Sequence, residues 1–429
     1  MINEIIFATV RFSATAIGLI LAALPSLVAA QKNAQWLLPN FSDRLEMRVT
    51  NTADRPVATL ALISVEAATR VAPGFPGSLA IVVLRSNTMT VLPSQADDLD
   101  GDGRPDEFVF PVQLPARASA EVEIYYSSVL HDVLPWPRRV FASHAYGYNH
   151  ATAALESEQI GYRTYGGFFL DAQARRQGHP GLNNALAGYL SIAASDPSPA
   201  GRDIFHVGDT LGLGGLFLKA QGELFRPPVN VPDYAHRREP VEVPHYRVIA
   251  DGPVRAMIEA RMDRWTLGGD AVRIRAVYSI AAESEAVECR FQIEPLSLSR
   301  SYEVGAGIRH LPKMQSDVQP GRLALSGEQD ATIGPLGLAL YYETQTASTA
   351  GVIATPEDGN DIILYHKRLE PNQAVAGRYW LAADWSGSGI PHLLEHLRQV
   401  ESQARATVAV DQFRHSVTPA PERLEGEAY

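Results

Sequence analysis

The chain has 429 residues, 37 Lys plus Arg against 48 Asp plus Glu, a formal net charge of -11 and a single cysteine. The acidic balance excludes a nucleic-acid binder, because phosphates call for a Lys/Arg surplus. One cysteine excludes an intrachain disulfide, and Cys289 lies in an alternating run, AVECRFQIEP, where a buried apolar thiol is the expected reading.

Residues 1–30 read as a secretory signal. Arg11 precedes an apolar run from Ala14 to Val28, and Val28, Ala29 and Ala30 supply small residues for cleavage before Gln31. A single membrane anchor is the competing reading, since the run approaches the length of a spanning helix, but Ser13, Pro25 and Ser26 interrupt it. The mature protein is therefore expected in the periplasm or secreted, with no stable membrane span after cleavage.

Residues 31–130 carry short alternating runs, among them LEMRVTN, ATLALISVEA, LAIVVLR, EFVFPVQL and AEVEIYYS, separated by Pro, Gly, Asn and Asp. That pattern predicts a small amino-terminal β-sandwich. His131 to Arg139, with Pro135 and Pro137, predicts a connection. Residues 131–429 alternate over longer runs, such as HYRVIADGPVRAMIEARM, AVRIRAVYSIAA and RYWLAADWS, which predicts one large antiparallel β-sandwich. The fold class is thus mainly β, with a large sandwich of the supersandwich, mutarotase-like kind. Two helices are expected, one near Asp171 to Gln177 and one beginning at Pro391 with Leu393, Leu394, Leu397 and Val400 on its apolar face.

Asp98, Asp100, Asp102 and Asp106 occupy positions 1, 3, 5 and 9 of a calcium-loop spacing, with Gly103 at position 6. Position 12 is Val109 instead of the bidentate glutamate, so a calcium-binding turn and a metal-free Asx turn both fit. Either role is structural, and the chemistry requires no cofactor. GDTLGLGG lacks the Gly-Lys-Ser/Thr ending of a phosphate loop and reads as a tight turn.

The densest group of proton-transfer side chains is SHAYGYNH. In one extended strand, His144, Tyr146, Tyr148 and His150 would share a face, aromatic rings for stacking on sugars beside imidazoles for proton transfer. Glu156 and Glu158, two apart, would also share a face, either as a catalytic pair or as partners for Arg163. Tyr165, His206 and Asp209 follow within glycine-rich blocks, and PDYAHRREP adds Tyr234, His236 and Arg238 as substrate-binding candidates.

GYRTYGG at 161–167, VGDTLGLGG at 207–215 and ADGPVRA at 250–256 resemble, in that order, blocks of a bacterial exported family labelled domain of unknown function four-eight-six-one, and the amino-terminal DLDGDGRPDEFVF stretch resembles it too. Leu155 stands where that family often has tryptophan, and SIAASDPSPAGRD replaces its Tyr-His pair. The resemblance implies a carbohydrate-active role near acidic polysaccharide degradation. The expected function is cleavage of a uronate-containing oligo- or polysaccharide by β-elimination. Arg163 would bind the carboxylate, His150 or His206 would act as base and Tyr165 or Tyr148 as acid. Hydrolysis by paired carboxylates such as Glu156 and Asp209, a non-catalytic glycan-binding role and a mutarotase-like activity are the alternatives.

Overall fold

A computed structural model describes residues 36–85, 89–128, 136–147, 150–164, 166–174, 202–208, 210–228, 244–328, 333–342, 359–385, 390–395 and 408–417. Residues 40–429 form one compact unit. The candidates Tyr148, Tyr165, Asp209, Tyr234, His236 and Arg238, like the whole of residues 1–35, lie outside the described residues. No helix among the described residues is long and apolar enough to cross a membrane.

Four antiparallel sheets make up the unit. A three-stranded sheet (Val57–Ser64, Glu107–Leu114, Gln95–Asp97) and a five-stranded sheet ordered Val408–Val417, Asp43–Asn51, Ser119–Ser127, Leu79–Arg85, Thr90–Leu92 form the small sandwich. They share a core that includes Leu45, Val49, Phe108, Phe110, Val122 and Ile124. Val408–Val417 comes from the far end of the chain, beyond every strand of the larger sheets, and closes the small sandwich by pairing with Asp43–Asn51. Val408 and Val410 pack against that core by period-two alternation, and the register shift opposite Glu46 and Arg48 brings Phe413 to the same core.

The large sandwich pairs an eight-stranded with a nine-stranded sheet. The first runs His245–Asp251, Arg255–Leu267, Asp270–Ala281, Ala286–Ser297, Val375–Asp384, Pro335–Tyr341, Arg322–Glu328, Gln315–Gln319. The second runs Asn360–Leu369, Tyr302–Arg309, Leu213–Ala220, Leu170–Ala174, Gly161–Thr164, His150–Ser157, Val140–Gly147, with Arg202–Asp203 and Glu223–Phe225 attached at its side. Alternate residues of both sheets fill one core, and Cys289 is buried within it. Burial pushes its thiol pKa far up, so Cys289 stays a neutral packing group.

Two local expectations are corrected. Leu170–Ala174 is a strand, not the start of a helix over Asp171 to Gln177: Leu170, Ala172 and Ala174 enter the core while Asp171 and Gln173 alternate to the other face. ATLALISVEA does not remain extended to its end. Ser64 caps a short helix, Val65–Thr69, by accepting from the Ala67 N–H. The carboxy-terminal helix is present over 390–395, where Leu393 packs with Tyr341 and Trp380.

The glycine-rich block is a tight turn feeding Leu213–Ala220. Gly215 donates to the Leu211 carbonyl at 2.9 Å, and a Cβ there would lie 2.2 Å from that oxygen. Gly215→Ala is expected to cost about 1–3 kcal/mol through the forced backbone shift, read as a lower denaturant midpoint with an unchanged slope.

Candidate functional site

Tyr162 and Arg163 show how the sequence builds the site. Tyr162 points inward and its hydroxyl spans the sandwich, donating to the Glu285 carbonyl at 2.6 Å and accepting from the Ala383 N–H at 2.9 Å. With that strand pinned, period two sends Arg163 to the outer face of the nine-stranded sheet. Its side chain is nevertheless only 2% exposed, as is that of Asp171, its opposite number in register.

Arg163 Nε donates to Asp171 Oδ2 at 3.0 Å, and Arg163 Nη2 bonds the same oxygen. That nitrogen also reaches Asp203 Oδ2 at 3.4 Å. Asp203 is the accessible member, with a side chain 30% exposed. Its Oδ1 accepts from the Phe205 N–H at 3.0 Å, which sets the turn leading to exposed His206. Burial, opposed by Arg163 and reinforced by Asp203, pushes the Asp171 carboxyl up to about 7. His206 acts on it in the opposite sense, which places the imidazole within electrostatic reach.

A second row runs beside the first. Glu156 is in register with Gly161, Gly161 with Gln173, and Gln173 with Asp203. Four strands about 4.8 Å apart thus carry two carboxylates, an amide and a glycine without a side chain between Glu156 and Gln173. Gln173 is 2% exposed, and its Nε2 has no hydrogen-bond partner among the described residues; the same holds for Asp171 Oδ1. Buried polar atoms are normally satisfied, so these two atoms mark the face as one shaped for something besides stability.

Several sequence candidates move. Arg163 bonds Asp171 and Asp203 through Nε and Nη2. SHAYGYNH is not one extended strand but two strands of a hairpin, Val140–Gly147 and His150–Ser157, with Gly147 opposite His150. His144, Tyr146 and His150 therefore do not lie on one alternating run; His144 is exposed and opposite Ala153. Glu158 leaves Glu156 and pairs with Arg139. Asp171, Asp203 and Gln173 were not among the candidate residues, although the alternation LDAQA was there to signal an outward Asp171 and Gln173.

In the acidic loop, oxygens of Asp98, Asp100 and Asp106 lie within 4.8 Å of one another, close enough to meet one cation. Asp102 is not in that group. Its Oδ1 accepts from the Arg104 N–H at 2.8 Å, while Asp98 accepts from Gly101 and Gly103 at 2.6 and 2.8 Å. The Gly103 N–H does most to hold the Asp98 carboxyl below the ordinary carboxylate range.

Residues 59–396 match the family described as Domain of unknown function (DUF4861). The chain belongs to the DUF4861 family. No curated protein matches this DUF4861 sequence. Among solved structures, it is similar to an alpha-mannosidase from Enterococcus faecalis V583 at 9% identity, over 86% of this chain and 46% of that one, with a TM-score of 0.45. It is also similar to a protein in glycosyl hydrolase family 38 from Enterococcus faecalis at 11% identity, over 89% of this chain and 49% of that one, with a TM-score of 0.45. The DUF4861 chain spans about half the length of these structures.

Proposed function

We propose that this chain is a periplasmic or secreted carbohydrate-active enzyme that cleaves an acidic, uronate-containing oligo- or polysaccharide by β-elimination at the outer face of the nine-stranded sheet. The observation that carries the reading is the unpartnered Gln173 amide beside an Asp171 whose carboxyl is raised to about 7. An uncommitted N–H donor next to a neutral acid is a receptor for a carboxylate. It supplies the neutralisation that makes the C5 proton of a uronate acidic enough to remove.

In this reading Gln173 receives the substrate carboxylate, the role that the sequence alone assigned to Arg163. Arg163 holds Asp171 and Asp203 in place. His206, exposed beside them, removes the C5 proton. The electron pair forms the C4–C5 double bond, the C4–O bond breaks, and the departing oxygen takes a proton from Tyr165, assigned on sequence alone.

A second reading, hydrolysis, draws on one specific feature: Asp171 and Asp203 meet the same Arg163 nitrogen. Two close carboxylates suit an acid paired with a base or nucleophile. The deciding assay follows ultraviolet absorbance and reducing ends together on oligogalacturonate. New absorbance matching new ends supports elimination, and new ends without absorbance reject it for hydrolysis. Tight binding with neither signal rejects both in favour of a glycan-binding protein.

A further inference from the structure

The outer face of the other large sheet carries a second array of charges. A cleft of about 1760 Å³ separates the eight-stranded sheet from the acidic loop and the helix Val65–Thr69 of the small sandwich. The sheet wall follows from alternation: Ala260, Ile274 and Ile293 enter the core, while Arg261, Arg273, Arg275 and Gln292 line the cleft. The whole core lies between this cleft and the Arg163 cluster, so the two sites are distinct.

Arg261 stands directly opposite Arg275 in register, and their side chains are 51% and 44% exposed. Like charges directly opposite each other on paired strands are destabilising, and this sheet carries them on the wall of a cleft. Each guanidinium meets an acid, Arg261 with Asp263 at 2.6 Å and Arg275 with Glu259 at 2.5 Å. Neither acid lies between the two arginines in the register, so an incoming oxyanion would relieve their repulsion.

The facing wall is net acidic, with Glu66, Asp100, Asp102, Asp106 and Glu107 against Arg104 and Arg70, the latter paired with Glu66. It is fixed in place. Arg255 holds Asp97 at 2.6 Å and Glu107 at 2.7 Å, one on each side of the loop, and Arg247 donates to the Leu99 carbonyl at 2.6 Å. A pure polyanion would be repelled by the acidic wall and a simple cation by the arginines. A ligand that suits both walls presents oxyanions to the guanidinium forks and hydroxyl donors to the carboxylates.

We infer that this cleft is a second binding site for an acidic sugar chain, with sugar carboxylates on Arg261 and Arg275 and sugar hydroxyls on Glu259, Asp100 and Asp102. The ligand class rests on the carbohydrate reading above; the position of the site does not. It would hold the chain of a long substrate while a distant segment of it is cleaved.

Calorimetric titration of trigalacturonate into the full chain carrying His206→Ala isolates the cleft from turnover. Binding is expected, weaker by about tenfold or more in the added Arg261→Gln/Arg275→Gln pair, as the loss of charge-assisted hydrogen bonds requires. It should also weaken with rising salt. Arg275→Gln removes the close partner of the buried Glu259, so Arg261→Gln, whose Asp263 partner is exposed, should keep its thermal midpoint and carries the test if the pair is destabilised, and Arg273→Gln serves as an independent probe of the same wall. Equal affinity with and without the arginines overturns the inference, as does tighter binding of a sulfated trisaccharide than of trigalacturonate. Arginine-dependent binding in a chain whose native form shows no turnover supports the cleft and rejects the enzyme reading.

Discussion

His206→Ala is expected to lose roughly 10²–10⁴-fold in kcat on oligogalacturonate, the range that a positioned base contributes. The imidazole is exposed, so the variant should unfold within about 0.5 kcal/mol of the native chain. Steady-state kinetics and a denaturant titration on the same preparation check both halves. Turnover unchanged by His206→Ala removes the residue from the mechanism. The same site predicts a pH dependence. With its carboxyl raised to about 7, Asp171 is neutral below that pH and ionised above it, where its charge would repel the substrate carboxylate beside Gln173. Activity should therefore fall as pH rises through about 7, and Asp171→Asn, neutral at every pH, should abolish that alkaline limb. A hydrolase using Asp171 as its acid would instead be inactivated by the same substitution, so one variant separates the two chemistries.

Stability carries the same signature with a definite sign. The Asp171 carboxyl titrates near 3.8 when unperturbed and near 7 in the fold. Between those values the folded chain holds a proton that the unfolded chain has released, so this group stabilises most at low pH and the contribution is lost as pH rises toward 7. Most buried ion-paired carboxylates act in the opposite direction. Comparing unfolding free energies of the native chain and Asp171→Asn at several pH values reads the effect directly.

Arg255→Met is the second large expected effect, a destabilisation of about 3–5 kcal/mol in denaturant unfolding. The Arg255 side chain is 6% exposed and bonds Asp97, itself 2% exposed, and Glu107. Gln95 completes the network by donating to Asp97 and accepting from the Val254 and Arg255 N–H groups at 3.0 and 3.1 Å. Methionine keeps most of the volume but leaves Asp97 buried without its cation. Desolvation already raises the Asp97 pKa against the pull of Arg255, so the variant should bind a proton there and recover part of its loss at acid pH. Asp97→Asn, which keeps a neutral acceptor for Arg255, is expected to cost less than Arg255→Met. Equal stability of native and Arg255→Met proteins would show that the small sandwich is held by its apolar contacts alone.

Much of the fold was legible because strands write their faces into the sequence at period two. LEMRVTN, EFVFPVQL and AVRIRAVYSIAA all became strands, and Cys289 is buried, as its alternating run implied. The failures share one physical cause. LDAQA is too short for its alternation to outweigh a helical reading, and its strand state depends on pairing with Gly161–Thr164, Arg202–Asp203 and Leu213. SHAYGYNH alternates throughout, but it is divided between two antiparallel strands, with Gly147 opposite His150. Val408–Val417 is an ordinary strand sequence, and nothing local says that its partner lies more than 350 residues away at Asp43–Asn51.

The sequence by itself determined composition, charge, the strand-rich class, the inert buried thiol and the tight glycine turn, because each depends on a residue and its near neighbours. Only the tertiary structure decided that Arg163 belongs to Asp171 and Asp203, that the Gln173 amide nitrogen stands unpartnered between Gly161 and Asp203, and that Arg261 stands beside Arg275 on one wall of a cleft. Those relations are set by strand register and by long-range burial. A one-residue slip in register would send every one of these side chains to the other face of its sheet.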